Sequence, residues 1–198
     1  MPLPVTVAVE GPSDVSVVRR ILEFVGCSVH LVHGRAGKHH IDLNLTGYNN
    51  AARFAPWFVL RDLDHDAACA GALVGQLLPT PATWMRFRVA VREVESWVLA
   101  DPAGISKFLR IREALVPGSP DQLNDPKAVL VNLARQSPIA AIRTDMVPAT
   151  GMSSAVGPAY ASRLNEFALG HWRPSIAVSN SESLRRCVER LRELTKLT

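Results

Sequence analysis

No run in this chain reaches the ~18 uninterrupted apolar residues of a membrane-spanning helix, so no membrane partner is expected. Cysteine is scarce. Cys27, Cys69 and Cys187 are odd in number and far apart, which argues against a disulfide framework and against a structural zinc site. Free thiols in a reducing cytoplasm are the expectation. The N-terminal stretch MPLPVTVAVEG lacks a charged n-region and a cleavage pattern, so it does not read as a secretory signal. A dominant charge sign is missing too. With 22 Lys and Arg against 18 Asp and Glu, the net charge of +4 permits an anionic partner without demanding one. Internal repeats and long low-complexity segments are also absent.

What is present is an ordinary globular composition, 47% hydrophobic and 20% charged, over a length that suits one well-buried domain or one domain with an extension. "VTVAVE" (Val5 to Glu10) is a β-branched run that predicts a buried strand. "GPSDVSVVRRILEFVG" predicts a helix, with Ser13 as N-cap, Asp14 in the first turn and Val17, Val18, Ile21, Leu22 and Val25 on one face. "CSVHLVHG" reads as a second strand, and the basic loop that follows becomes helical near Ile41. "PWFVLRDLDHD" is a third strand, "AACAGALVGQLLP" an apolar helix, "TWMRFRVAVRE" a fourth strand and "EVESWVLAD" a short helical turn. Strands alternating with helices predict an α/β fold: a central, mostly parallel sheet of about four strands, covered by helices on both faces. Beyond Asp101 strand signals fade and prolines punctuate short helical pieces. The end, "SNSESLRRCVERLRELTKL", is amphipathic, with Leu184, Val188, Leu191 and Leu194 on one side. The expected organisation is an α/β core over residues 1–101 and a helical extension over 102–198 packed on it.

Acidic residues gather where these strands end. Asp62 and Asp64 alternate, and alternate positions of a strand project to one side. They fall at the carboxyl end of the third strand, where open α/β sheets hold their ligands. Glu10 ends the first strand, Asp14 follows four residues later, and Glu93 and Glu95 close the fourth. Carboxylates drawn to one sheet edge repel one another, and hard oxygen ligands of this kind suit Mg²⁺ or Mn²⁺. Each also has a plainer explanation. Asp14 can complement a helix N-terminus, Asp66 can cap the "AACAGALVG" helix, Glu93 can be a solvated strand-end residue, and Asp101 before Pro102 reads as a further N-cap. A calcium hand starting at Asp62 fails, because Ala67 and Leu73 stand where Gly and Glu are needed. The strand-borne Asp-x-Asp of haloacid-dehalogenase-type phosphatases is matched only weakly, since His65 and Asp66 follow it.

The ordered set "VAVEGPSD", "VLRDLDHD" and "VREVESWVLAD" resembles the TOPRIM superfamily. It is most similar to the OLD-type (overcoming lysogenization defect) nucleases and to small stand-alone TOPRIM-like families. Those carry a Glu-Gly opening followed by an acid, matched by Glu10 to Asp14, and a Glu-x-Trp-Leu-x-Asp segment, matched by Glu95, Trp97, Leu99 and Asp101. The resemblance covers roughly the first hundred residues. It implies a TOPRIM-like Rossmannoid fold and metal-dependent phosphodiester cleavage in prokaryotic defence or DNA repair. Carried over residue by residue, Glu10, Asp62 and Asp64 would hold the metal, with Asp14 and Glu95 as ligands of a second one. Glu10 has an alternative role as general acid or base. The nuclease class uses a lysine after the acidic motifs, and Lys127 in "NDPKAVL" lies in the right direction; a surface lysine at a helix start is the competing reading. OLD nucleases usually have an ATPase domain ahead of the TOPRIM part. This chain has no Gly-x-x-x-x-Gly-Lys-Ser/Thr loop, so it acts alone or with a separate ATPase subunit.

The loop "HGRAGKHH" concentrates Arg35, Lys38, His39 and His40, which reads either as a phosphate-binding loop or as a solvated turn. The adjacent histidines have no third ligand spaced for zinc. Arg86, Arg88 and Arg92 alternate along the fourth strand, as a phosphate track flanking the acids or as the solubilising face of an outer strand. Arg185, Arg186, Arg190 and Arg192 read as a solvated helix face. The leading expectation is a nuclease with Mg²⁺ or Mn²⁺ as cofactor and nucleic acid, DNA foremost, as partner. Two other readings stay open: a catalytically silent module that binds nucleic acid or an ATPase, and a small-molecule metal-dependent phosphatase.

Overall fold

The computed structural model describes residues 1–197. Strand and helix alternate as the hydrophobic pattern predicts: β1 (Leu3–Val9), α1 (Pro12–Phe24), β2 (Cys27–Gly34), α2 (Lys38–Ala51), β3 (Trp57–Asp62), α3 (Ala70–Leu77), β4 (Met85–Ala90) and α4 (Val94–Leu99). Every strand pairing is parallel, in the order β2-β1-β3-β4. Parallel strands need crossover connections, and α1, α2 and α3 supply them. The chain then continues through α5 (Pro102–Leu109), α6 (Pro126–Arg135), α7 (Ala140–Met146), α8 (Tyr160–Gly170), α9 (Pro174–Asn180) and α10 (Glu182–Arg192), with short 3₁₀ turns between and after them. Pro12, Pro102, Pro126 and Pro174 each open a helix, where the missing N–H costs nothing and the fixed φ is already helical.

Residue parity along the strands sorts the core into two sides. Val5, Val7, Val9, Phe58 and Leu60 face α1, α4 and the helices after residue 102. Ala8, Trp57, Val59, Met85, Phe87 and Val89 face α2 and α3. The first side is the larger, and residues 102–197 share it with the sheet instead of building a separate core. Trp97, Trp172 and Phe167 are among its largest fully buried side chains, each removing on the order of 150–250 Å² of surface from water. By the same parity Asp62 follows Phe58 and Leu60 toward α1 and α4, while Arg61 follows Trp57 and Val59 toward α2.

Local details differ from expectation at four places. The N-cap of α1 is Gly11, not Ser13, because Pro12 takes the first helical position. The N-cap of α3 is Cys69, whose Sγ accepts from Ala72 N at 3.4 Å, and Asp66 is committed to Lys38 and Arg61. Helix α2 starts at Lys38, three residues before Ile41, so the basic loop contributes its first turn. β4 stops at Ala90, and Arg92 takes φ +60°, which ends the alternation with Arg86 and Arg88.

Candidate functional site

Glu10 leaves the end of β1 and accepts the Asp62 N–H through Oε1 at 2.8 Å, tying the tips of β1 and β3 together. Burial pushes its carboxyl up to about 7, against the lowering effect of the Asp62 amide and the Arg61 guanidinium. Asp14 is the third residue of α1, and its Oδ2 accepts the Gly11 N–H at 2.8 Å. The capping role read from sequence is therefore present. Yet Asp14 is also buried, and that burial drives its carboxyl upward. Asp62 closes β3, and its Oδ1 accepts the Val94 N–H at 2.9 Å, joining the strand to the start of α4. Burial, then the charges of Asp14, Glu95 and Glu10, hold its carboxyl well above the usual range. Glu95, in the first turn of α4, is 1% exposed, and desolvation pushes it up to about 7.

Lys127 reaches this cluster from the start of α6. Its Nζ lies 2.7 Å from Glu93 Oε1 and 3.7 Å from Glu95 Oε1, while its backbone N–H donates to Glu93 Oε2 at 2.9 Å. Burial lowers the pKa of the ammonium; the carboxylates of Glu95 and Glu93 outweigh it and hold the pKa above the ordinary value. Glu93 is therefore not merely a solvated strand end, since it grips both the backbone and the side chain of Lys127. Tyr160 of α8 donates its hydroxyl to Glu95 Oε1 at 3.1 Å. Glu95 Oε2 is buried and has no hydrogen-bond partner among the described residues.

Asp64 is turned away from Asp62. The strand has ended, Asp64 takes φ +46°, and its Oδ2 receives Lys38 Nζ at 2.8 Å. Lys38 also bonds both oxygens of Asp66. Beneath them lies Arg61, 3% exposed, with Nε and one Nη on Asp42 at 2.8 and 3.0 Å, Asp66 at 2.7 Å and the Asp62 carbonyl at 2.6 Å. This second network pins the β3 tip from the α2 side. Asp64 still adds to the negative field at Glu10. Arg35 is exposed, and its backbone N–H bonds Val9 O at 2.7 Å, so the β2–α2 loop crosses directly over the end of β1. Arg86 and Arg88 contact α10 instead of this cluster. Arg86 donates to Arg190 O at 2.9 Å, and Arg88 approaches the Cys187 thiol, which burial pushes up to about 12. A groove of about 850 Å³ runs between α3, the β4 edge and α10, and its lining includes Arg88 but none of Glu10, Asp14, Asp62 and Glu95.

The donor set fits a hard divalent cation in its chemistry. It consists of carboxylate oxygens, desolvated and mutually repelling, with one buried oxygen unpartnered. Among the described residues, no three acidic, histidine or cysteine groups already stand in a ligating array. Instead Glu10, Asp14 and Asp62 each keep an oxygen on a backbone N–H.

Sequence reasoning passed over Arg61 and Tyr160. A lone arginine inside the apolar run "WFVLRD" was the available signal for the first. For Tyr160, in an amphipathic helix, there was none.

No protein-family model matches the chain, and no curated protein matches it. Among solved structures, the C-terminal region of the Burkholderia pseudomallei OLD protein is similar at 14% identity and a TM-score of 0.40, over 96% of this chain and 97% of that one. The C-terminal region of the Xanthomonas campestris pv. campestris OLD protein is similar at 15% identity and a TM-score of 0.43, over 98% and 94% respectively.

Proposed function

We propose that this protein is a Mg²⁺- or Mn²⁺-dependent phosphodiester hydrolase acting on nucleic acid, with DNA foremost. One observation carries the reading: Glu10 after β1, Asp14 in the first turn of α1, Asp62 at the end of β3 and Glu95 in the first turn of α4 share one desolvated cluster with the Lys127 ammonium. Four acids that close, each with its pKa driven up, are costly to the fold unless a cation answers them. Functional sites are where such costs concentrate.

When bound, the metal supplies a Lewis acid for the phosphate and an acidified water. Glu10 keeps Oε1 on the Asp62 N–H, which leaves Oε2 as its ligating or proton-carrying atom. Asp62 likewise keeps Oδ1 on Val94. Both side chains are thereby oriented by the strand tips and lose little freedom on binding. Asp64, whose Oδ2 is held by Lys38, would be a further ligand if it gave up that ion pair. Lys127, held charged by Glu93, stabilises the extra negative charge on the phosphoryl oxygens in the transition state. Arg35, exposed beside the β1 end, meets the substrate backbone.

The test is to incubate purified protein with single-stranded, nicked and supercoiled DNA and with RNA, in Mn²⁺, Mg²⁺ or chelator. Cleavage that requires metal and is lost in Asp62→Asn and Glu10→Gln is the expected result. If folded Asp62→Asn cuts as well as the parent, the site is misassigned.

A further inference from the structure

Besides Lys127, the helical region after residue 102 sends a second side chain, Tyr160, into the acidic cluster. Tyr160 is 5% exposed, sits at the start of α8, and spends its hydroxyl on Glu95 Oε1 at 3.1 Å. That same oxygen faces Lys127 Nζ at 3.7 Å. The Tyr160 hydroxyl and the Lys127 ammonium are thus both on Oε1. The other oxygen, Oε2, is buried with nothing to accept from, an arrangement that costs about 1–3 kcal/mol for a polar atom in a protein interior. A carboxylate with one oxygen occupied by a donor and the other bare is oriented as a monodentate ligand. Hydrogen-bond partners behind a metal ligand set its orientation and basicity.

We infer that Tyr160 is a positioning residue for the metal: by holding Glu95 Oε1 it fixes the rotamer that presents Oε2 to the cation. The inference rests on the metal-dependent reading above. It adds to the role that Lys127 gives the helical region, since the sheet half alone then carries an incompletely oriented ligand. Tyr160 belongs to the buried core, and its helix α8 packs on α1 and α7, so its ring has packing partners besides Glu95.

The experiment uses the full chain and the metal alone as probe. Free Mn²⁺ is followed by electron paramagnetic resonance during titration, and melting is measured in chelator. Tyr160→Phe keeps the ring and removes only the hydroxyl. The expected result is Mn²⁺ affinity lower by about 10-fold or more, a metal-free melting temperature close to the parent's, and cleavage recovered at high Mn²⁺. Glu95→Gln should weaken Mn²⁺ binding by itself, and Tyr160→Phe added to it should weaken binding no further. Unchanged Mn²⁺ affinity in Tyr160→Phe overturns the inference. So does an equal extra loss in the Glu95→Gln background, which would mean that Tyr160 acts elsewhere. A lower melting temperature with parental affinity marks a purely structural hydroxyl and overturns it as well. If the parent binds no Mn²⁺, the metal-dependent reading itself falls, and Tyr160 falls with it.

Discussion

Replacing Glu95 with glutamine should make the metal-free protein more stable while disabling it. Glu95 is 1% exposed and its carboxyl is pushed from 4.5 to about 7 by desolvation. A folded value above the unfolded one means that the fold favours the protonated acid. The associated stability is fully present below pH 4.5 and is lost as pH rises through about 7. At about 1.4 kcal/mol per pH unit, the loss by pH 8 is on the order of 3 kcal/mol. Glutamine has no proton to lose, accepts from Tyr160 through its amide oxygen and leaves Lys127 its Glu93 partner. At about 2–4 °C per kcal/mol for a chain of this size, Glu95→Gln in chelator at pH 8 should melt several degrees above the parent, up to roughly 10 °C. At pH 4.5 the difference should vanish. Added Mn²⁺ should raise the parent more at pH 8 than at pH 5, because protons compete for the same oxygens, and should raise the variant little. Differential scanning fluorimetry at four pH values, with and without Mn²⁺, reads all of this. A variant that melts below the parent at pH 8 in chelator, yet gains as much from Mn²⁺, would refute the argument that this buried carboxylate is held in place for a cation.

Three further outcomes follow from the same geometry. Lys127→Gln removes the resident counter-charge; the metal-free melting temperature should fall, the gain from Mn²⁺ should exceed the parent's, and cleavage should drop by about 10²-fold, as expected for a lost transition-state donor. Arg61→Met leaves Asp42 and Asp66 without their buried partner and the Asp62 carbonyl without its donor; urea denaturation should show a loss of about 3 kcal/mol, and parental stability would show that the network is incidental. Gly34→Ala places a Cβ 2.3 Å from Val9 O at φ +81°; the β2–α2 crossing must shift, costing at least about 1–3 kcal/mol and displacing Arg35, with a matching loss of DNA affinity in a filter-binding assay.

The sequence by itself determined the order of elements, the parallel sheet and the gathering of acids at strand ends. Those features rest on periodicity and cap chemistry within windows of about ten residues, which act before any long-range contact forms. Glu10, Asp62 and Glu95 were legible because each follows directly on an apolar strand or opens the helix after one. The tertiary structure decided the rest. It separated Asp62 from Asp64, because β3 ends at Asp62 and a left-handed residue turns the next carboxylate toward Lys38. It converted Arg61 from an oddity in an apolar run into the pin beneath the β3 tip. It drew Lys127 and Tyr160, 34 and 65 residues from the acids they meet, into one cluster. Local pattern cannot encode such meetings, since they depend on how α6 and α8 pack across the sheet. The physical reason is one of range: periodicity specifies which face a residue takes on its own element, and only the packing of elements specifies what that face meets.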